Sequence, residues 1–211
     1  SSATSVCAYQ GDAGSVALGA AVAVNMSANQ VSARAERGVS LTSGGIGGVG
    51  VRASDDVTVY ATAHGYQLGG ATAGAVAASA TRGGSTRSLV GDEALSGAQT
   101  VLKATQGGVS VTSERQGRVE AETIAGSGGV HGAAVGSGAT AEDGGAVQAV
   151  VGNQVTMEAA DSVQVVARAV PRAKATARGY GGSLFAAVGA SVAISNATPI
   201  VQASIGRGGL V

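Results

Sequence analysis

Three pairs of adjacent acidic residues are the groups in this chain best suited to acid–base chemistry: Asp55-Asp56, Asp92-Glu93 and Glu142-Asp143. Glycoside hydrolysis needs two carboxyl groups about 5–10 Å apart across a cleft, which makes these six residues the candidates for sugar cleavage. Neighbours on a strand point to opposite faces, so adjacent carboxylates rarely cooperate. We predict that the pairs, together with Asp161, occupy turns and bond to local backbone, with catalysis and calcium binding as the alternatives.

Two further observations disfavour a sugar-cleaving or calcium-binding site. Sugar sites use aromatic platforms, and this chain has four Tyr, one Phe and no Trp. Calcium-binding repeats carry an aspartate after a glycine run, which the segment Gly44-Gly-Ile-Gly-Gly48 lacks. The sequence therefore predicts no catalytic, cofactor-binding or metal-binding residues and no cofactor.

His64, His131 and Cys7 are the remaining reactive side chains, and none of them has a ligand-spaced partner. Neither histidine has a nearby Cys or second His, so we interpret both as solvated turn residues. The single cysteine excludes an internal disulfide, and without a basic neighbour we expect Cys7 to be a small buried residue.

Three tyrosines are candidate binding residues. Tyr66 and Tyr180 occupy similar places, because each precedes a Gly-Gly pair, and Tyr60 ends an alternating strand. The alternatives are packing at the base of a loop, which we favour, and contact with a ligand.

Charge and hydropathy exclude several classes of protein. The 13 basic and 13 acidic residues cancel, and no basic stripe is visible, which argues against a nucleic-acid partner. No run of 18 strongly apolar residues is present, so we expect no membrane-spanning segment. With 36 Gly and 45% hydrophobic residues, the core has to be filled by Ala, Val and Gly, which suits a thin core between close walls.

A glycine-centred apolar segment occurs four times, around Gly19, Gly74, Gly136 and Gly189. These glycines are 55, 62 and 53 residues apart. A second landmark follows each of them 16 or 17 residues later, at Glu36, Gly91, Gly152 and Gly206. A third landmark is a valine-rich strand that begins at Val57, Val109 and Val163. Self-similarity of this kind indicates stacked units that cannot bury their apolar faces alone.

Alternating runs such as Val49–Ala53 and Val109–Val111 predict an all-β protein with short strands. Three short strands with their turns need about 18 residues, so each repeat of about 55 residues is predicted to form three coils of a parallel β-helix. About 12 coils would give a rod about 55 Å long. Glycines, Pro171 and Pro199 are expected at corners or loops, and glycines also where walls approach closely.

The segment Gly14–Asn25, followed by Val31-Ser-Ala33 and Asp56–Ala61, resembles the repeat of leukotoxin-like filamentous adhesins. Those are very large bacterial exoproteins, often exported by two-partner secretion and similar to filamentous haemagglutinin. The resemblance implies a right-handed parallel β-helix, an extracellular or cell-surface location, and a role in adhesion, fibre formation or toxicity. Ser15–Gly19 also looks like the head repeat of trimeric autotransporter adhesins, although that repeat is much shorter.

From these observations we expect residues 1–211 to be one β-solenoid segment, an uncapped fragment of a longer repeat protein. The expected function is a non-catalytic stalk or adhesive scaffold of a secreted bacterial surface protein. Its partner would be a host or neighbouring-cell surface, or another copy end to end. The alternatives are a self-assembling filament subunit, a trimeric autotransporter head, and a carbohydrate-active β-helix enzyme.

Overall fold

The computed structural model describes residues 2–10, 14–92 and 98–207, which form ten β-strands and no helix. The strands are β1 (Ser2–Gln10), β2 (Val16–Ala35), β3 (Ser40–Ser43), β4 (Val49–Val90), β5 (Thr100–Ala104), β6 (Val109–Val151), β7 (Val155–Ala159), β8 (Val163–Val170), β9 (Ala173–Ser183) and β10 (Ala187–Ile205). The predicted all-β class is confirmed. The short strands predicted for the middle of the chain are instead β4 and β6, which run for 42 and 43 residues. The small residues taken for turns are accommodated within these strands.

Every pairing between these strands is parallel and joins residues about one repeat apart. Val16 pairs with Ala71 and Val49 with Val109, and all such partners are 54 to 61 positions apart. The predicted coil of about 18 residues, with three coils per repeat, would need partners about 18 residues apart. This register corrects that prediction: one repeat supplies one layer of a stack that is consistent with a β-solenoid.

The stack has four layers, which we number from the N-terminus. They contain β1–β3, β4–β5, β6–β7 and β8–β10. Layers in a sheet lie about 4.8 Å apart, so the four span about 14 Å, whereas a 20-residue strand extends for about 65 Å. The described body is a slab, which replaces the predicted rod of about 12 coils.

Each layer runs along two long walls and one short wall. The first wall consists of β1, residues 49–68 of β4, residues 109–129 of β6, β8 and β9. The second wall consists of β2, residues 71–90 of β4, residues 132–151 of β6 and β10, and the third of β3, β5 and β7. The chain passes from the first wall to the second at an arch near Gly69-Gly70.

The first two walls face each other across a core of small apolar side chains. In layer 2, Val59, Ala61 and Ala63 of the first wall pack in one cluster with Val76, Ala78 and Ala80 of the second. Layer 3 repeats this arrangement with Val119, Ala121, Ala125, Val135, Ala139 and Ala141. The predicted thin core of Ala and Val is thereby confirmed, because no large side chain would fit between walls this close.

Glycines lie where a side chain from the facing wall needs room. The amide of Gln67 fills the space that a Cβ on Gly74 would occupy, and a Cβ on Gly19 would lie 2.6 Å from its Nε2. On the opposite wall, a Cβ on Gly65 would lie 2.6 Å from Cγ2 of Val76. The prediction of glycine at close approaches is confirmed here.

The third wall closes the other end of the cross-section. Leu102 of β5 and Met157 of β7 are fully buried and pack with Val51, Val90 and their stacked counterparts in a second core cluster. The corners on either side contain glycines with positive φ at Gly48 and Gly91, a backbone conformation that side chains disfavour.

The repeat landmarks align with the stack in part. Gly19 pairs with Gly74, but Gly74 pairs with Val135 rather than Gly136, because the register shifts by one residue between Gly69 and Ala71. The third valine landmark needs a larger correction: Val49, and not Val57, stacks on Val109 and Val163. The longer second repeat explains both errors.

The prolines take two different positions. Pro171 lies in the break between β8 and β9, as predicted. Pro199 lies within β10 and pairs with Gly145, so the predicted loop is wrong. It is accommodated because β10 is in an outer layer, where one edge of the strand has no ladder to supply.

Candidate functional site

Two of the six candidate carboxylates form part of a buried charge cluster between the walls. Asp55 and Asp143 lie in mid-strand rather than at turns, and their side chains are 4% and 2% exposed. Asp55 accepts a bond from Nη2 of Arg82 at 2.7 Å, and Nη2 of Arg115 lies 3.7 Å from Asp143. The turn prediction is wrong for both, because each carboxylate faces inward towards arginines.

The four charges alternate in both directions. Layer 2 has Asp55 on the first wall and Arg82 on the second, and layer 3 has Arg115 on the first wall and Asp143 on the second. Asp55 stacks on Arg115 and Arg82 stacks on Asp143, so every neighbour carries the opposite charge. A buried charge is tolerated only when it is paired in this way.

Arg115 is the cluster member whose proton affinity is perturbed. Burial lowers the pKa of its guanidinium, and the like charge of Arg82 lowers it further, while Asp143 and Asp55 oppose both effects. Arginine starts from so high a pKa that it stays protonated. Nη2 of Arg115 also donates to the carbonyl of Gly83 at 2.8 Å, so this side chain ties the two walls together.

The other candidate acids do not converge on a cleft. Asp56 and Glu142 follow and precede the buried aspartates in sequence and are exposed on outer faces. Asp92 lies at the corner after β4, bridges to Asn153, and approaches Arg37 at 3.8 Å. Asp161 lies in a bend, as predicted. Glu93 lies outside the described residues.

The histidines and the cysteine show no metal-binding arrangement. His64 is half-buried within β4, and His131 is exposed in β6 with its ring stacked on Phe185 at 5.9 Å, so the predicted turn positions are wrong. The side chain of Cys7 lies outside the described residues. Within the described ranges, no group of three or more His, Cys, Asp or Glu side chains could hold a metal ion.

Tyr66 and Tyr180 occupy one column of the outer face of the first wall. Both pair with Gly126, from layers 2 and 4 respectively, so their predicted equivalence is confirmed. The ring of Tyr66 leans over Gly126, since a Cβ there would lie 2.8 Å from Cδ1. The two tyrosines line a groove of about 430 Å³ whose floor includes Gly126 and Gly128. Tyr60 lies in a different column, between Ser2 and Glu120.

The basic row is a feature that sequence reasoning missed. We use this name for Arg168, Arg172, Lys174 and Arg178, which are all exposed on the layer-4 strands of the first wall. No acidic residue lies among them in β8 or β9, and the row ends at Tyr180. Period-two alternation over residues 168–178 was the signal available, because it places even-numbered residues on one face.

The cations of the basic row are not neutralised by the carboxylates beneath them. Glu114 and Glu120 stack under Arg168 and Lys174, but they pair with Arg52 and Arg118 instead. Across the described part of the chain, no carboxylate lies within 4.0 Å of the four cations. The row is therefore a strip of exposed positive charge next to an aromatic groove.

Within the described ranges, no helix has the length and apolarity that a membrane crossing requires. Comparison with known proteins adds no relative: no family model, no curated protein and no solved structure matches this chain.

Proposed function

We propose that this chain is a non-catalytic, adhesive segment of a large secreted bacterial surface protein, and that its basic row binds acidic polysaccharide at a cell surface. We place it outside the cell, and we expect the solenoid to wind right-handed, as nearly all parallel crossover connections do. The resemblance to filamentous adhesins supports the class of protein. The observation that carries the binding proposal is the basic row ending at Tyr180.

The spacing of the cations favours a polymer of low charge density. Arg172 and Lys174 are about 7 Å apart along the strand, and Arg168 and Arg178 lie about 13 Å beyond them on either side. A nucleic-acid strand carries a phosphate about every 3.4 Å, so most of its charges would have no partner in this row. A polysaccharide with one acidic group per one or two sugars matches the spacing better.

The groove beside the row suits a sugar ring. Tyr66 and Tyr180 are 44% and 61% exposed, and the glycines between them leave the backbone open to a flat ligand. Aromatic faces and cations together are the groups that bind a sugar ring and its acidic substituent. A chain bound along the row would reach this groove at its end.

Binding to immobilised heparin tests the proposal. Replacing Arg172 and Lys174 by Gln should weaken binding by about tenfold or more, because each charge-assisted bond contributes about 1.5–3 kcal/mol. The matched control replaces Arg34 and Lys103 by Gln, two exposed cations on the other walls. The control should bind as the unmodified chain does, and binding should weaken as salt rises.

Other outcomes of this experiment count against the proposal. Equal binding to neutral dextran would show that charge does not direct recognition. A preference for single-stranded DNA over heparin at the same salt would make the row a nucleic-acid site. Unchanged binding by the Arg172/Lys174 variant would remove the row from the interaction.

A filament subunit is the second candidate, because the outer strands have free edges. β2 pairs only with β4, and β10 only with β6, so each exposes one row of backbone donors and acceptors. Layer 4 of one copy could extend the ladder onto layer 1 of the next. Electron microscopy of concentrated protein should then show fibres, and short separate particles at every concentration would exclude this assembly.

A further inference from the structure

The outer face of the second wall has large apolar side chains in its first layer. Outward positions of β2 include Val16, Leu18, Val22, Val24 and Met26, whose exposed fractions are 56–74%. Their inward neighbours are the buried alanines of the core. The strand therefore places its larger apolar residues in water and its small ones inside, the reverse of the usual pattern.

The same face has a shallow trough in its middle layers. The stacked partners of Leu18 and Val22 in layer 2 are Ala73 and Ala77, and their partners in layer 3 are Ala134 and Gly138. Layer 4 is bulky again, with Val188, Val192 and Ile194 each more than half exposed. The trough has a volume of about 660 Å³ and is lined by Ala, Gly, Leu and Val.

No charged residue lies on this face between the stacked rows that begin at Val16 and Val24. The outer face of the first wall differs, since it carries the basic row and the glutamates beneath it. A contiguous uncharged apolar surface of several hundred Å² is unusual for a free protein and marks an interaction site.

We propose that this apolar face binds the same face of a second copy. The ridge of layer 1 and the trough in layers 2 and 3 are complementary, so a twofold axis along the strands at layer 2 would place each ridge in the trough of the other copy. Leu18 of one copy would then lie over Ala134 of the other, at the distance of about 10 Å that facing sheets adopt.

The area agrees with a reversible dimer. Ten residues along the strands and three layers across them give about 35 Å by 15 Å, or about 1,000 Å² over both copies. This is near the lower limit for a specific interface. Aligning the copies without the offset would place ridge on ridge and leave the trough empty, which packing disfavours.

Sedimentation of the whole chain over a range of concentrations tests the dimer. The unmodified chain should reach twice its monomer mass at high micromolar concentration, and Leu18→Glu should remain monomeric. The matched control is Ile46→Glu, since Ile46 is 87% exposed and lies at a corner away from this face. That control should associate as the unmodified chain does.

A second variant distinguishes a fitted interface from general stickiness. Gly136→Leu adds apolar surface to the trough floor, where a Cβ meets only the carbonyl oxygen of Gly74 at 4.0 Å. If a ridge must enter the trough, this variant loses the dimer, with about a tenfold or larger rise in the dissociation constant. Stronger association would overturn the fitted interface. A monomeric unmodified chain would overturn the dimer, and binding of that monomer to neutral lipid vesicles would assign the face to lipid.

Discussion

The charge cluster and the apolar arch hold the same two walls together by different means. In the cluster, Asp55 faces Arg82 in one layer and Arg115 faces Asp143 in the next. In the arch, the larger Gln67 and Val76 face Gly74 and Gly65. One region matches charge and the other matches volume, and in each the wall that supplies the charge or the bulk changes with position. Complementary exchange between facing walls is the shared rule.

The largest expected effect comes from removing one charge of the cluster. Arg82→Met leaves Asp55 and Asp143 with Arg115 alone, so the free energy of unfolding should fall by about 3–5 kcal/mol in urea denaturation. The control is Arg118→Met, because Arg118 is exposed and pairs with Glu120 on the outer face. Replacing all four cluster residues by Leu or Met should restore most of the loss, since well-packed apolar residues can substitute for a buried ion network. A loss below about 1 kcal/mol for Arg82→Met would mean that charge does not join the walls.

A smaller effect is expected from the arch. In Gly74→Ala the new methyl group occupies the position of the Gln67 amide, which should cost about 1–3 kcal/mol through overpacking. Gly138→Ala is the matched control, because nothing lies within 4 Å of its Cβ position. In a Gln67→Ala background the loss from Gly74→Ala should disappear. If the loss persists there, the glycine is required for its backbone and not for the volume it leaves.

The smallest effect is expected from a surface ion pair between stacked strands. Arg52 and Glu114 pair on the outer face, with 64% and 34% of their side chains exposed. Solvent screens such a pair, so Arg52→Ala should change the free energy of unfolding by less than about 1 kcal/mol. A loss comparable to that of Arg82→Met would show that stacking of charges, and not their burial, determines the contribution.

Repetition and alternation predicted the fold class but not its dimensions. Gly91, Gly152 and Gly206 were recognised as equivalent, and they do follow strands that stack on one another. The coil size was misjudged because Gly and Ser in the middle of β4 read as turns, whereas they are small residues that leave room for the facing wall. Sequence spacing alone does not distinguish these two uses of glycine.

The charge cluster was not predictable from adjacency. Asp55 and Arg82 are 27 residues apart, and Arg115 reaches them only through a register of 60. The acidic pairs attracted attention because their members are neighbours in sequence, yet each pair separates into one inward and one outward residue. The basic row was missed for the related reason that its cations are spread among alanines.

The register shift at the arch has a consequence for engineering. The third repeat carries one more residue than the second between the walls, and the stack absorbs it between Gly69 and Ala71, so the inward side chains of layer 3 still face the core. Elsewhere a single inserted residue would turn every following side chain of that wall to the opposite face. The arch tip is therefore the place to introduce a peptide tag or an epitope, because an insertion there leaves both long walls in phase.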